Sequence, residues 1–491
     1  MAQKRLTDVA YARRDQSYFD RRGLIRHANV FHLWALGVGA VISGHFSGWN
    51  FGLAAGGWGG MVLAAILIMI MYWGLVFAIA EMSPALPHTG AAYSFARTAM
   101  GPWGGFLTGL AESVMYILAP AVIVYFIGAY MSAIFGTPEA AQPVWWVLGY
   151  LLFVGLNIWG VALSFRITLV VTLLALGCLV VFWVSALGHF DFARFALDIG
   201  PDGEQLAEGN GPFLPYGIGG AFAALPFAVW LFLAIEQLPL AAEESVDPRR
   251  DMPRGIIWAM ITLMVSAFMI VWLAPSILGV GAHALGQSDE PLLDGLRAIY
   301  GEGLAEGLAL VAVLGLVASF HTIIFAQGRQ IYSLSRAGYF PPFLSITHGR
   351  RKTPYVAMIA GAGLGLSVML GLRHYFGEGA GSIIGGTLIN MAVFGAMLSY
   401  IAQAASFILL RRNHPYIERP FVNPLGVGGA LVTIVIACVT LGFQFADPVY
   451  RQGIGFVIVW FAAFILYFTL FGRHRLILSP EEAFALEHAR R

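Results

Sequence analysis

Twelve apolar runs set the limits on what this chain can fold into. They fall at residues 31–54, 60–81, 103–131, 144–164, 166–188, 215–240, 255–279, 303–329, 354–372, 382–410, 424–446 and 452–472. A helix needs about 20 predominantly apolar residues to cross the hydrocarbon layer. In lipid every backbone polar group must be paired within the protein, so runs of this length are read as helices. The expectation is an all-α membrane protein with 12 transmembrane helices forming one domain over 31–472. Residues 1–30 and 473–491 are then an N-terminal and a C-terminal tail. Only 11 % of the 491 residues are charged, against about 25 % in soluble domains.

The basic residues orient these spans. With the N-terminus cytoplasmic, all of the 28 lysines and arginines fall on cytoplasmic segments except Arg194, Arg297, Arg373 and Arg451. Dropping one helix would reverse that bias downstream, so the positive-inside rule supports the count as well as the direction. A multi-pass protein of the cytoplasmic membrane, with both termini cytoplasmic, is expected. The basic 1–30 segment lacks a cleavable signal pattern and is expected to end in a surface helix on anionic lipid. The longest outer connection, 189–214, carries Asp191, Asp198, Asp202, Glu204 and Glu208. A net charge of +1 and the absence of motif-spaced basic clusters give no reason to expect a nucleic-acid partner. Cys178 and Cys438 have neither metal nor redox spacing and read as packing residues.

Two spans are unlike plain anchors. Span 1 holds Ile42-Ser43-Gly44-His45-Phe46-Ser47-Gly48-Trp49-Asn50, with further glycines at 37, 39 and 52. Glycine weakens a helix by about 1 kcal/mol relative to alanine. An ionisable group at mid-bilayer costs about 2.5–3.5 kcal/mol on insertion scales. A helix that unwinds in mid-membrane around a ligand explains both, with Ser43, Gly44, His45, Phe46, Gly48 and Trp49 at the site. The alternative is a small-residue packing seam with a buried, satisfied His45. Span 6 is interrupted by Pro226, which is expected to break the helix there. Phe227, Trp230, Leu231 and Phe232 follow it, and Glu236 closes the stretch. The two interrupted spans lie five helices apart. Paired breaks at corresponding positions point to a transporter site between inverted repeats. The repeats would cover about 31–188 and 215–410, with 424–472 supplying two extra C-terminal helices.

Other intramembrane polar groups are candidates by the same cost argument. Glu112 in span 3 shares a helical face with Met115 and Tyr116. Its alternative is a protonated acid bonded to a neighbouring helix. His321 in span 8 joins His45, Glu112 and Glu236 as a candidate proton site, since histidine titrates easily near neutrality. The segment from Met82 to Gly90, with Pro84 and Pro87, reads as a rigid turn in which His88 is a loop residue.

After span 6 comes Glu243-Glu244, then Asp247-Pro248-Arg249-Arg250 and Pro253-Arg254. Arg329 to Pro342 and Arg411-Arg412 to Arg419-Pro420-Phe421 follow spans 8 and 10. This pattern resembles the amino acid–polyamine–organocation superfamily. The resemblance implies a LeuT-type fold: a 5+5 inverted repeat with broken helices 1 and 6, plus two helices. Within it, Ile42 to Gly52 with Gly56-Gly57-Trp58-Gly59-Gly60, Gly101 to Gly109, and Trp230 to Glu236 with Ala241 to Glu244 are similar to the ethanolamine permeases. In that subfamily the positions of His45 and Met115 are usually acidic, so an ammonium would need another acceptor here. The Gly48-Trp49-Asn50 turn is also bulkier than the turn that holds a carboxylate in amino-acid permeases.

The resemblance implies a secondary active transporter for a small amino-group solute, ethanolamine-like, working by alternating access. Trp230 is expected as its gate, Glu236 as a coupling or bracing group, and Phe394 in span 10 as an outer wall. No cofactor is expected. Co-transported H+ is favoured, with Na+ held by Ser319, Thr322 and span 1 carbonyls as the alternative. An amino acid or other zwitterion is the alternative substrate, and a channel-like facilitator the alternative class. No nucleophile–base pair, metal spacing or phosphate loop points to an enzyme.

Overall fold

Asn29 fixes where the bundle begins. Its Oδ1 accepts from the Phe31 and His32 amides, each at 3.1 Å, and His32 Nδ1 accepts from the Asn29 amide at 3.4 Å. This reciprocal cap satisfies N–H groups that a helix start leaves without partners. Helix α1 (Val30–Val41) follows, tightens into a 3-10 turn at Ile42–His45, and stops. The computed structural model describes residues 9–12, 14, 18, 24, 26–197, 212–277, 280–377, 380–445 and 448–489. Asp198, Asp202, Glu204, Glu208 and most of the 1–30 segment, with its expected surface helix, lie outside them.

The chain resumes in α2 (Phe51–Ala85), which Gly57 divides. Its φ of 68° turns the far end of span 1, away from the termini, into span 2. Such a left-handed angle is open to glycine at little cost. Helix α2 runs through Pro84 and ends at Ala85, so the turn read from 82 to 90 is shorter than expected. A proline in an interior turn removes one hydrogen bond without always ending the helix. Helix α3 (Ala91–Phe135) is divided in the same way by Gly101, with φ 81°. Pro102 then opens the membrane part, at a first-turn position where its missing N–H costs nothing.

Helices α4 (Gln142–Trp159) and α5 (Val161–Ala186) complete the first five spans. Span 6 is α6 (Gly217–Ala223), α7 (Leu225–Trp230) and a 3-10 stretch, Ile235–Glu244. The expectation that Pro226 breaks this span is corrected. Pro226 sits in the first turn of α7, where it is pre-organised for helix. The chain unwinds five residues later, through Leu231 to Ala234, and Ala234 takes a left-handed φ of 81°.

Beyond it lie α8 (Pro248–Leu273), the short helices α9 (Ala282–Gln287) and α10 (Pro291–Tyr300), and α11 (Glu302–Arg336). Helices α12 (Tyr355–Phe376), α13 (Gly381–Asn413), α14 (Gly426–Gln444) and α15 (Pro448–Leu470) finish the membrane part. Among the described residues, eleven helices are long and apolar enough to cross a membrane, and the broken first span is the shorter apolar helix Val30–His45. The chain is an all-α membrane protein. Helix α3 is its axis: nearly every residue from Gly105 to Tyr130 is buried, chiefly against α13 and α11. Helices α14 and α15 are peripheral. Exposed leucines and valines on α4 and α5, such as Leu151 and Val170, form an outward apolar surface suited to lipid.

The segment read as a C-terminal tail is docked. β1 (Tyr11–Ala12) pairs in parallel with β2 (Leu476–Ile477), and α16 (Pro480–Ala489) follows. Glu481 and Glu482, at the start of α16, are fully buried. Their burial depends on partners on α3 and α11, which local sequence does not reveal.

On the opposite face, α9 and α10 carry a pH-sensitive cover. Burial pushes the Asp289 carboxyl up to about 6. Burial, then repulsion from Asp289 and Asp294, pushes Glu290 up to about 8. Both bind protons more tightly folded than unfolded. Their stabilisation is therefore complete below about pH 4 and is lost as pH rises through about 6 and about 8. Hydrogen-exchange protection of Pro291–Tyr300, corrected for the intrinsic rate, should fall between about pH 5 and about pH 9. An Asp289→Asn, Glu290→Gln protein should show a flat profile.

Candidate functional site

The two breaks meet in mid-membrane. A Cβ on Gly44 would overlap the Trp230 carbonyl oxygen, so only glycine allows spans 1 and 6 this close. Trp230 Nε1 donates to the Ser47 carbonyl at 3.0 Å. Gly48, at φ 93°, leaves room for the same indole: a Cβ there would lie 2.8 Å from Nε1. His45 ties the breaks together. Its Nε2 meets the Leu231 carbonyl at 2.9 Å and its Nδ1 meets Ser266 Oγ on α8 at 2.7 Å. A carbonyl only accepts, so Nε2 carries a proton and neutral Nδ1 accepts from the serine. Both ring nitrogens are thus engaged within the protein, as in the packing alternative for this residue.

Asn50 fastens the side toward α9. Its Oδ1 accepts from the Gly48 amide at 2.9 Å, and its Nδ2 donates to the Leu285 and Ser288 carbonyls at 2.6 and 2.7 Å. Asn50→Ala leaves one buried amide and two carbonyls without this partner. We expect about 1–3 kcal/mol lost per buried group left unsatisfied. Thermal melting and faster hydrogen exchange at Ala282–Gln287 would measure it.

A carboxylate cluster lies beside the breaks. Glu236 enters it from the first turn of the 3-10 stretch, where a helix N-terminus favours an acid. It lies within electrostatic range of Glu112 and Tyr116 on α3, Tyr72 on α2 and Tyr400 on α13. All five side chains are buried. Gln403 Nε2 donates weakly to Glu112 Oε1 at 3.4 Å and to Ser399 Oγ at 3.0 Å. The Tyr72 and Tyr400 hydroxyls meet at 3.0 Å, and Phe232 packs on Tyr72 with ring centroids 5.5 Å apart. Among the described residues, both Glu236 oxygens, Glu112 Oε2 and the Tyr116 hydroxyl make no hydrogen bond within 3.5 Å, although Tyr400 and the backbone at Ala234 bear on Glu236 and Ser399 bears on Glu112. Buried polar groups are normally paired. This concentration of acceptors, with negative charge available to it, can take a cation or protons.

The remaining sequence candidates divide. Met115 is buried on α3, where its amide faces Gly395 of α13. Leu231 contributes its carbonyl to His45. Phe46 packs against Gly315 of α11 and receives the Tyr130 hydroxyl on its carbonyl at 3.0 Å. Trp49 is buried in the core. Ser43 gives its amide to Ser319 Oγ at 2.8 Å, and Ser319 donates to the Gly39 carbonyl at 2.6 Å. Thr322 bonds the carbonyls of its own helix. The groups considered for Na+ are therefore engaged with one another.

Three candidates lie apart from the carboxylates. Phe227 packs edge-on between Phe51 and Tyr450. Phe394 packs edge-on against Phe445, just past the end of α14, at 5.9 Å, on the face of α13 opposite Gln403. His321 sits in a closed network: Nδ1 with Asn157 Nδ2 and Nε2 with Ser164 Oγ, each at 3.0 Å, while Ser164 donates to Asn157 Oδ1. Asn157 must donate to Nδ1, so Nε2–H donates to the serine and every position in the ring is used. Sequence reading missed Tyr72, Ser399, Tyr400 and Gln403. The signal was there for α13, where Ser399 and Gln403 fall at i, i+4 in an apolar run.

The comparisons agree with this architecture. A family model described as amino acid permease matches residues 29–471. The chain is 28 % identical over 429 residues to an uncharacterised transporter of Rhizobium meliloti (strain 1021), covering 86 % of this chain and 87 % of that one. It is 24 % identical over 488 residues to the methylthioribose transporter of Bacillus subtilis (strain 168), covering 93 % and 96 %. The branched-chain amino acid permease BcaP of the same organism is 25 % identical over 429 residues, covering 82 % and 84 %.

Proposed function

The chain belongs to the amino acid permease family, and on that premise we propose that it moves a small amine, ethanolamine-like, across the cytoplasmic membrane by proton-coupled alternating access. Membership makes it a transporter and not an enzyme. The choice of an amine rests on one observation: the buried acceptors of Glu236, Glu112 and Tyr116 that make no close hydrogen bond among the described residues. A primary ammonium brings three N–H donors and one positive charge. It supplies what these groups lack. Tyr72 and Phe232 offer aromatic surface beside it. In this reading Glu112 and Glu236 take the place of the acids that His45 and Met115 replace. His45 braces the two breaks rather than touching the ammonium. Trp230, held on the Ser47 carbonyl, is the gate.

The coupling proton is assigned to the Glu112–Glu236 pair. Two neighbouring buried carboxylates resist carrying two negative charges, so cation and proton occupancy are linked at one place. His321 is excluded from this role because its partners are complete. The face that carries the termini, Arg97, Arg329 and Arg336 is taken as cytoplasmic, following the basic bias of the sequence.

A zwitterionic amino acid is the second reading, favoured by the family and by the branched-chain amino acid permease among the relatives. The Gly48 amide, one of the span 1 donors a carboxylate would use, is already given to Asn50. That weighs toward the amine. The experiment is uptake of labelled ethanolamine into proteoliposomes under an imposed pH gradient, with leucine and glycine as competitors. Gradient-dependent uptake that neither amino acid inhibits is expected. Uptake of an amino acid instead moves the reading to the zwitterion. Ethanolamine flux indifferent to proton and sodium gradients would identify a channel-like facilitator.

A further inference from the structure

Arg336 ends α11 with a guanidinium that two carboxylates share. Glu243, from the stretch after the span 6 break, accepts from Nη1 at 3.0 Å and from Nη2 at 2.7 Å. Glu481 of α16 accepts from the same Nη2 through its Oε1. Arg336 and Glu481 are buried, and one atom of each has no partner among the described residues: Arg336 Nε and Glu481 Oε2. Those two atoms are the halves of a second contact between the same side chains.

Helix α16 is anchored independently of Arg336. Glu482 accepts from Arg97 Nε at 2.6 Å, Tyr11 at 2.7 Å, and Tyr93 and Tyr339 at 2.9 Å each. The Ile477 amide donates to the Ala337 carbonyl at 2.8 Å. Glu243 and Glu244 instead bridge span 6 to α11, Glu244 through Arg329 at 2.8 Å. A path to this face that parts span 6 from α11 breaks both bridges. A buried cation stripped of its partner is strongly unfavourable.

We propose that Glu481 takes over Arg336 when Glu243 leaves, which makes α16 the fixed counter-ion of the inner gate. In the open state Arg336 pairs through Nε and Nη2 with both oxygens of Glu481, the two-point geometry that suits a guanidinium and a carboxylate. Glu243 departs into the opening path, where water solvates it. Glu481 is then a positioning residue for opening and makes no contact with substrate.

The exchange assigns opposite effects to two carboxylates on one arginine. Hydrogen exchange of the full chain in nanodiscs reads it without any substrate, at the amides of Ile235–Glu244. Glu243→Gln removes a bridge that only the closed state has, so exchange there should rise about ten-fold. Glu481→Gln removes the open state's counter-ion, so exchange should fall about ten-fold and ethanolamine turnover should slow by a similar factor, with KM unchanged. If Glu481→Gln raises exchange as Glu243→Gln does, Glu481 is a second static latch and the exchange of partners is wrong. No change in exchange overturns it equally. Should the glutamine variant fail to fold, Glu481→Asp keeps the charge and shortens the reach. A smaller fall is then expected, and a rise or no change counts against the proposal.

Discussion

Glu236→Gln should abolish gradient-driven amine uptake, with an initial rate at least about 100-fold below wild type. The glutamine keeps the shape and loses the charge. A hydrogen bond to a charged group is worth about 1.5–3 kcal/mol net, which alone is about 10- to 150-fold in affinity. Loss of the proton site removes coupling as well. Glu112→Gln should cost less, because Gln403 already holds one Glu112 oxygen while neither Glu236 oxygen makes a hydrogen bond within 3.5 Å. Labelled ethanolamine uptake into proteoliposomes, read with and without a pH gradient, separates the two losses. A Glu236→Gln protein that keeps half the wild-type rate would remove the carboxylate pair from the transport site.

Gly44→Ala is the second change expected to stop transport. The added methyl meets the Trp230 carbonyl oxygen, which is backbone and cannot rotate away. The following residue, Leu231, is pinned by His45, so the two breaks must separate as a unit. Overpacking of this kind costs about 1–3 kcal/mol. The Trp230–Ser47 contact is expected to be lost with it. Melting should move down by a few degrees while uptake disappears. His45→Ala makes a useful contrast, since it leaves the Leu231 carbonyl unpaired but adds no clash. It should lower stability by a similar amount and retain partial uptake. Equal uptake by Gly44→Ala and wild type would mean that spans 1 and 6 are free to part without consequence.

The sequence made the membrane fold legible because its constraint is blunt. Long apolar runs can be satisfied in lipid only as helices, and the basic residues of the connections select their count. The breaks were legible for a related reason: glycine clusters and intramembrane charges are costly unless used. The location of the second break was not. Pro226 attracts attention as a breaker, yet its effect depends on whether it falls in a first turn, and Ala234 gives no local hint that it adopts a left-handed angle.

Within the site, ionisable residues were identified and their partners were not. His45 and His321 look alike in sequence, each a lone histidine in an apolar run. Ser266, Asn157 and Ser164, which complete their hydrogen bonds, come from other spans and from distances that periodicity does not encode. Tyr72 and Tyr400 read as ordinary membrane aromatics until their hydroxyls are seen to meet. Glu481-Glu482 reads as a solvated helix start in a tail. Only the tertiary positions of Arg97 and Arg336 show that both glutamates are interior.

That last arrangement bears on biogenesis. Arg97 stands 385 residues before the glutamate that neutralises it. Chains are made from the N-terminus and their early parts fold first. During synthesis the end of α3 that carries Arg97 therefore holds a cation whose counter-charge has not yet been translated, while Arg329 and Arg336 of α11 follow their partners Glu244 and Glu243. A chain stopped short of Glu481 would keep every apolar run and leave Arg97 without its carboxylate: the spans would all be there, with the wrong charge in the interior.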